Sequence, residues 1–264
     1  AQFVGVIDNF NVGYTGASDA IELTAKGGGG AQNWYAPGGW PTPTLAPDVV
    51  GGMRAWRFGG DSVFAINSDG SGLGFTPPVS LPLGNFWFGA EQDSTAGDNP
   101  SGFALAYGSL IPSQVKSYPD GSPIGNGDTP VLDLDITSYS HFRFDVTFAE
   151  TVDPGDTLLI SIEGGSITSG TGNQLDLTIS SPGTGGTGPV YVPFTAFNDP
   201  YPGFDPATEL TDIDGFLFAY ASTKNARVIG LNEITLVPEP SEYALFGCLG
   251  LLGYGVYRRV RRSC

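Results

Sequence analysis

At 264 residues and 27.5 kDa the chain can bury a sizeable core, as one large all-β domain or two small ones, and its 40 glycines and 21 prolines argue against long helices. The net charge of −16 arises from an acidic body, seven bases against 26 acids over residues 1–240, which phosphate backbones would repel, so nucleic acid is excluded as a partner. A single histidine, no cysteine before Cys248 and no Gly-x-Ser-x-Gly leave no Ser-His-Asp set or thiol nucleophile to assemble.

The chain opens Ala1-Gln2-Phe3 without an initiator Met, which suits the mature side of a signal-peptidase cut. Short stretches rich in Val, Ile, Phe and Tyr then predict strands at Phe3 to Phe10, Ala20 to Thr24, Met53 to Phe58, Ser62 to Ile66, Leu73 to Phe75 and Phe103 to Tyr107. Trp56 and Trp87 sit among apolar strand residues and are expected in the core. Alternation is clearest from Tyr139 to Phe148, where Phe142, Phe144, Val146 and Phe148 share one face and His141, Arg143, Asp145 and Thr147 the other. That places His141 on the solvent side. Further strands are predicted at Leu158 to Ile162, Leu175 to Ile179, Tyr191 to Phe194, Phe216 to Phe218 and Val228 to Leu236. No repeat stands out, which argues against propellers and solenoids, and the Gly-rich Ser181 to Pro189 reads as a loop within one unit. The fold class is all-β: a single β-sandwich over residues 1–236.

The landmarks Val6-Ile7-Asp8-Asn9-Phe10, Gly51-Gly52-Met53-Arg54, Leu134-Asp135-Ile136, Val192 to Phe197, Leu210 to Phe216 and Ile229 to Ile234 follow in an order that resembles the galactose-binding-like jelly rolls. The resemblance implies a sugar-binding or calcium-stabilised sandwich, with the structural calcium held between an acid near the first strand, Asp8, and one on the last, Glu233; Asn232 stands where such folds often carry Asp. A second oxygen-rich turn, Asn67 to Gly72, lacks the closing Glu of an EF-hand loop. Calcium is the only cofactor these residue types suggest. For carbohydrate, the Gly/Pro-rich stretch from Gly27 to Val49 offers Trp34, Tyr35 and Trp40, aromatic faces on a loop that either meet a sugar or fold back as a lid. A carboxylate-pair glycosidase stays open, because 26 acids always include some pair.

After Val237 come Pro238-Glu239-Pro240, an uncharged run from Tyr243 to Tyr257, and the cluster Arg258, Arg259, Arg261 and Arg262. The prolines stop the preceding strand. The 15-residue run makes about 22 Å of helix, short of a hydrocarbon core of roughly 30 Å, so flanking tyrosines and arginines must cover the difference. The arginines predict a cytoplasmic C-terminus with the body outside. Box, helix and basic end together resemble the PEP-CTERM sorting signal. That resemblance implies recognition by an exosortase in a bacterium that makes exopolysaccharide and biofilm, with residues 237–264 as the tail and 243–257 as a transmembrane helix. The expected role is a non-enzymatic exported surface or matrix protein, serving adhesion, structure or carbohydrate contact, with exopolysaccharide or surface proteins as partners. The alternatives are a membrane-anchored structural subunit of a larger complex, whose Gly247, Gly250, Gly253 and Gly255 would let another helix approach, and a carbohydrate-active enzyme.

Overall fold

The computed structural model describes residues 5–10, 21–25, 49–52, 54–59, 62–66, 86–90, 101–111, 131–149, 156–180, 187–222 and 228–238. Among these residues the strands are β1 (Val6–Asp8), β2 (Ile21–Ala25), β3 (Ala55–Gly59), β4 (Ser62–Ile66), β5 (Phe86–Ala90), β6 (Ser101–Gly108), β7 (Tyr139–Ala149), β8 (Thr157–Glu163), β9 (Gln174–Ser180), β10 (Gly188–Pro193), β11 (Gly215–Ser222) and β12 (Val228–Pro238). They form a two-sheet sandwich in which every pairing is antiparallel. One sheet runs β10-β7-β12-β5-β4-β2, with β1 also paired to β12; the other runs β3-β6-β11-β8-β9. Among the described residues helix is limited to two 3-10 turns, Val50–Gly52 and Phe194–Asn198, and one α-turn, α1 (Pro206–Glu209).

Alternation builds the core. In the five-stranded sheet the register aligns Trp56, Leu105, Phe218, Ile160 and Leu177 in one row and Tyr107, Phe216, Ile162 and Leu175 in the next, all buried. Phe142 and Phe144 of β7 meet this layer edge to face, with Phe142 5.6 Å from Phe218 and 6.0 Å from Phe216, and Phe144 5.4 Å from Phe218. Those geometries set the positive ring edge of one sheet against the negative faces of the other. Phe103 closes the far end against Phe86 at 4.6 Å and Phe88 at 5.4 Å.

Several strand boundaries differ from expectation, and one strand lies outside the predicted runs. The first strand stops at Asp8 because its carboxylate accepts the Phe10 amide at 2.8 Å, while Phe10 takes a φ of +56°. That local bond turns the chain out of the ladder. β12 continues to Pro238, paired opposite Tyr139, two residues beyond the predicted end. Strand β5 had no predicted range, although Trp87 was placed among apolar strand residues: Phe86, Trp87, Phe88 and Gly89 are all buried, so the segment lies between covered faces and shows no alternation. The strand predicted at Leu73 to Phe75 lies outside the described residues.

Candidate functional site

Because Phe142 and Phe144 point inward, His141, Arg143 and Asp145 of β7 stand on the outer face. The register sets Tyr191 of β10 beside Arg143 and Pro193 beside His141 on one flank, and Glu233 beside Asp145 and Thr235 beside Arg143 on the other. A bulge between Leu231 and Glu233 inserts Asn232 as an extra residue in β12, so buried Leu231 and Ile234 flank two polar residues instead of one. Both reach the same patch. Arg143 pairs with Glu233 through one guanidinium nitrogen and with Asp145 through another at 3.3 Å, and the Asn232 amide donates to Asp145 at 3.1 Å. Partial burial opposes the charge on Arg143, but the bond to Glu233 and the fields of Asp145 and Glu233 outweigh it and hold the guanidinium above its ordinary range. Tyr191 is 52 % exposed, with its ring 6.4 Å from that of His141 and nearly perpendicular to it. The Ser140 hydroxyl shares a 2.7 Å hydrogen bond with His141 Nδ1.

This patch offers an exposed aromatic face next to a planar, pre-ordered set of donors and acceptors.

The structure does not bring Asp8 and Glu233 together. Asp8 lies between the sheets, fully buried with Arg54 and Tyr107. Its carboxylate takes the Arg54 Nε, the Arg54 terminal nitrogen at 2.6 Å, the Tyr107 hydroxyl at 2.7 Å and the Phe10 amide. The Arg54 guanidinium also lies 5.3 Å from the Phe10 ring centre. Burial works against the Arg54 charge, yet the field and hydrogen bonds of Asp8 raise its pKa, and burial followed by the field of Asp8 pushes the Tyr107 phenol well up. The two acids expected to share a cation are thus committed to different arginines, one inside the sandwich and one outside. The second candidate turn, Asn67 to Gly72, lies outside the described residues.

At one end of the sandwich Asp133, Glu163, Asp212 and Asp214 gather, and Asp214 is raised by burial and then by the fields of Asp212, Glu163 and Asp133. Ser109 donates to Glu163 at 2.6 Å. Nearby, the Glu209 carboxylate accepts from the Thr168 and Ser169 amides at 2.9 and 2.8 Å and from the Ser169 hydroxyl at 2.8 Å, clamping α1 to the loop after β8. Among the described residues no group of three or more His, Cys, Asp or Glu side chains is arranged to hold a metal ion.

Of the other residues singled out by sequence, Pro238 closes β12. Glu239, Pro240, Arg258, Arg259, Arg261 and Arg262 lie outside the described residues, as do Trp34, Tyr35, Trp40 and the run 243–257. Among the described residues no helix is long and apolar enough to cross a membrane. Trp56 and Trp87 are buried, as predicted. The outer-face patch was missed as a site, although the alternation that exposes His141, Arg143 and Asp145 was visible; its other half depends on cross-strand register.

No protein-family model and no curated protein matches the chain. Solved structures similar to it include the family 11 carbohydrate-binding module of a cellulosomal cellulase of Clostridium thermocellum, at 15 % identity and a TM-score of 0.32 over 84 % of this chain and 97 % of that one. The same kind of module in complex with a β-1,3-1,4-mixed-linked tetrasaccharide is similar at 14 % identity and 0.29, over 86 % and 96 % of the two chains. An engineered ENZbleach xylanase is similar at 8 % identity and 0.35, over 89 % and 93 %.

Proposed function

We propose that the protein is an exported, non-enzymatic surface or matrix protein whose sandwich contacts carbohydrate through the outer face of β10, β7 and β12. The observation that carries this reading is the exposed Tyr191 ring standing beside the ion-paired set Arg143, Asp145 and Glu233. Sugar rings present apolar C–H faces that stack on such an aromatic and hydroxyls that exchange hydrogen bonds with fixed carboxylates and amides. We take residues 1–236 as a galactose-binding-like jelly roll and residues 237–264 as a PEP-CTERM tail, with Pro238, Glu239 and Pro240 as the box read by an exosortase and residues 243–257 as a membrane helix before processing. Support for the tail is the order of its parts: a proline box, an uncharged run and four arginines.

Two measurements test the halves of this reading. Affinity electrophoresis through polysaccharide-containing gels should retard the full chain, and no retardation by any polysaccharide would end the carbohydrate reading. Intact mass of protein from its native source should show a terminus near residue 240; a mass that retains Cys264 supports the anchored-subunit alternative instead.

A further inference from the structure

We infer that the outer face of β10, β7 and β12, if it is the carbohydrate contact proposed above, selects uncharged glycans: Tyr191 stacks the sugar, Asp145, Asn232 and Glu233 meet its hydroxyls, and Arg143 is a positioning residue rather than an anion receptor. The inference rests on how charge is spent across the patch. A face that recognises uronate or sulfated sugars needs an uncommitted cation, since planar guanidinium recognition of a carboxylate or sulfate uses the fork that faces it. Arg143 is the sole Lys or Arg in β7, β10 and β12, and its fork is already held by Glu233 on one nitrogen and Asp145 on the other. With two carboxylates to one guanidinium the patch is net negative, on a body that is itself strongly acidic. An anionic polymer meets repulsion from both.

What remains unspent is hydrogen-bonding capacity suited to neutral hydroxyls. A carboxylate has about four acceptor positions. Arg143 uses one oxygen of Glu233, and Asn232 and Arg143 together use one position on each oxygen of Asp145, so acceptor positions remain on both groups among the described residues. The guanidinium fixes these acceptors without needing the ligand to order them, which lowers the entropic cost of binding. From β10 through β7 to β12 the patch crosses two strand spacings, on the order of 10 Å, so it receives a short stretch of a chain rather than a single terminal sugar.

The test is affinity electrophoresis of the full chain in gels holding a neutral polymer (mixed-linkage β-glucan or glucomannan), an anionic one (polygalacturonate) or a cationic one (chitosan). Each is run at low ionic strength and at about 1 M salt, where the Debye length falls to about 3 Å. The wild-type chain should be retarded by a neutral polymer and keep that retardation in high salt. Tyr191→Ala should weaken it at least about tenfold while melting like wild type, because the side chain lies on the surface. The double variant Asp145→Asn, Glu233→Gln keeps acceptors but frees Arg143, and should gain salt-sensitive binding to polygalacturonate. Arg143→Met should lose neutral binding while melting like wild type, a result that an arginine serving stability alone would not produce. Retardation of the wild type by polygalacturonate or chitosan alone overturns the selectivity and leaves the carbohydrate reading standing. Neutral binding that survives Tyr191→Ala overturns this face as the site. No retardation by any polymer overturns the proposed function itself.

Discussion

Asp8 and Arg54 sit 46 positions apart in the chain and are both fully enclosed, so neither charge has water to fall back on. Removing one partner takes the ion pair from a charge that stays enclosed. Asp8→Ala is expected to cost about 3–5 kcal/mol in urea unfolding, whereas Tyr107→Phe, which deletes one hydrogen bond to the same carboxylate, should cost about 1–3 kcal/mol. Glu209 makes a pH-dependent contribution. Burial opposes its charge, but the Ser169 and Thr168 amides and the Ser169 hydroxyl overcome it, so its folded pKa lies below the ordinary 4.5. A depressed acid stabilises the fold above its unfolded pKa and loses that contribution as pH falls through the lower, folded value. Melts of the wild type and Glu209→Gln should therefore differ most at pH 7 and converge toward pH 3; a difference that is constant with pH would show that the clamp acts without its charge. Asp214 has the opposite sign, because its raised pKa penalises folding at neutral pH and is relieved by acid. Little of this could be read from sequence. Asp8 was noticed, but as a metal ligand, because spacing does not reveal that an arginine 46 residues away will share its cavity.

At the level of elements, alternation carried most of the fold. The period-two runs in β7 and β9 gave their faces correctly, whereas in β8 Ser161 is buried along with Ile160 and Ile162, so both faces of that strand are covered. The same test failed for β5, whose Phe86, Trp87 and Phe88 are enclosed on both sides, and it could not foresee the bulge at Asn232 that adds a second polar residue to the outer patch. The turn after β6 shows how narrowly a connection can be specified. Gly108 has a φ of +65°, and an added Cβ would lie 2.1 Å from the Asp214 carbonyl, which itself accepts the Ser109 and Leu132 amides. Gly108→Ala must therefore adopt a strained backbone and also push β6 from the start of β11. A loss on the order of 2 kcal/mol or more is expected by denaturant titration, and a neutral effect would mean that this turn relaxes freely.

Over the whole molecule, β12 is both the last described strand and the one with the most strand partners: β7 along one edge, β5 at residues 228–231 and β1 at 234–235 along the other. Three strands of one sheet therefore wait on β12 for their pairing, and such long-range pairing makes folding slow. A chain ending at Pro238 should melt as the full-length protein does, while one ending at Ala221 should be unfolded by circular dichroism and digested rapidly by protease. Equal protease resistance of the two would show that β12 is dispensable. The two-sheet all-β sandwich was legible in order and composition; the sheet order was not, because strands distant in sequence pair through a shared core that no local pattern records. The position of β12 also fixes how the protein meets force. Tension applied at Pro238 runs along a strand flanked on both edges, so its ladders are strained in shear and many hydrogen bonds resist together instead of unzipping one by one.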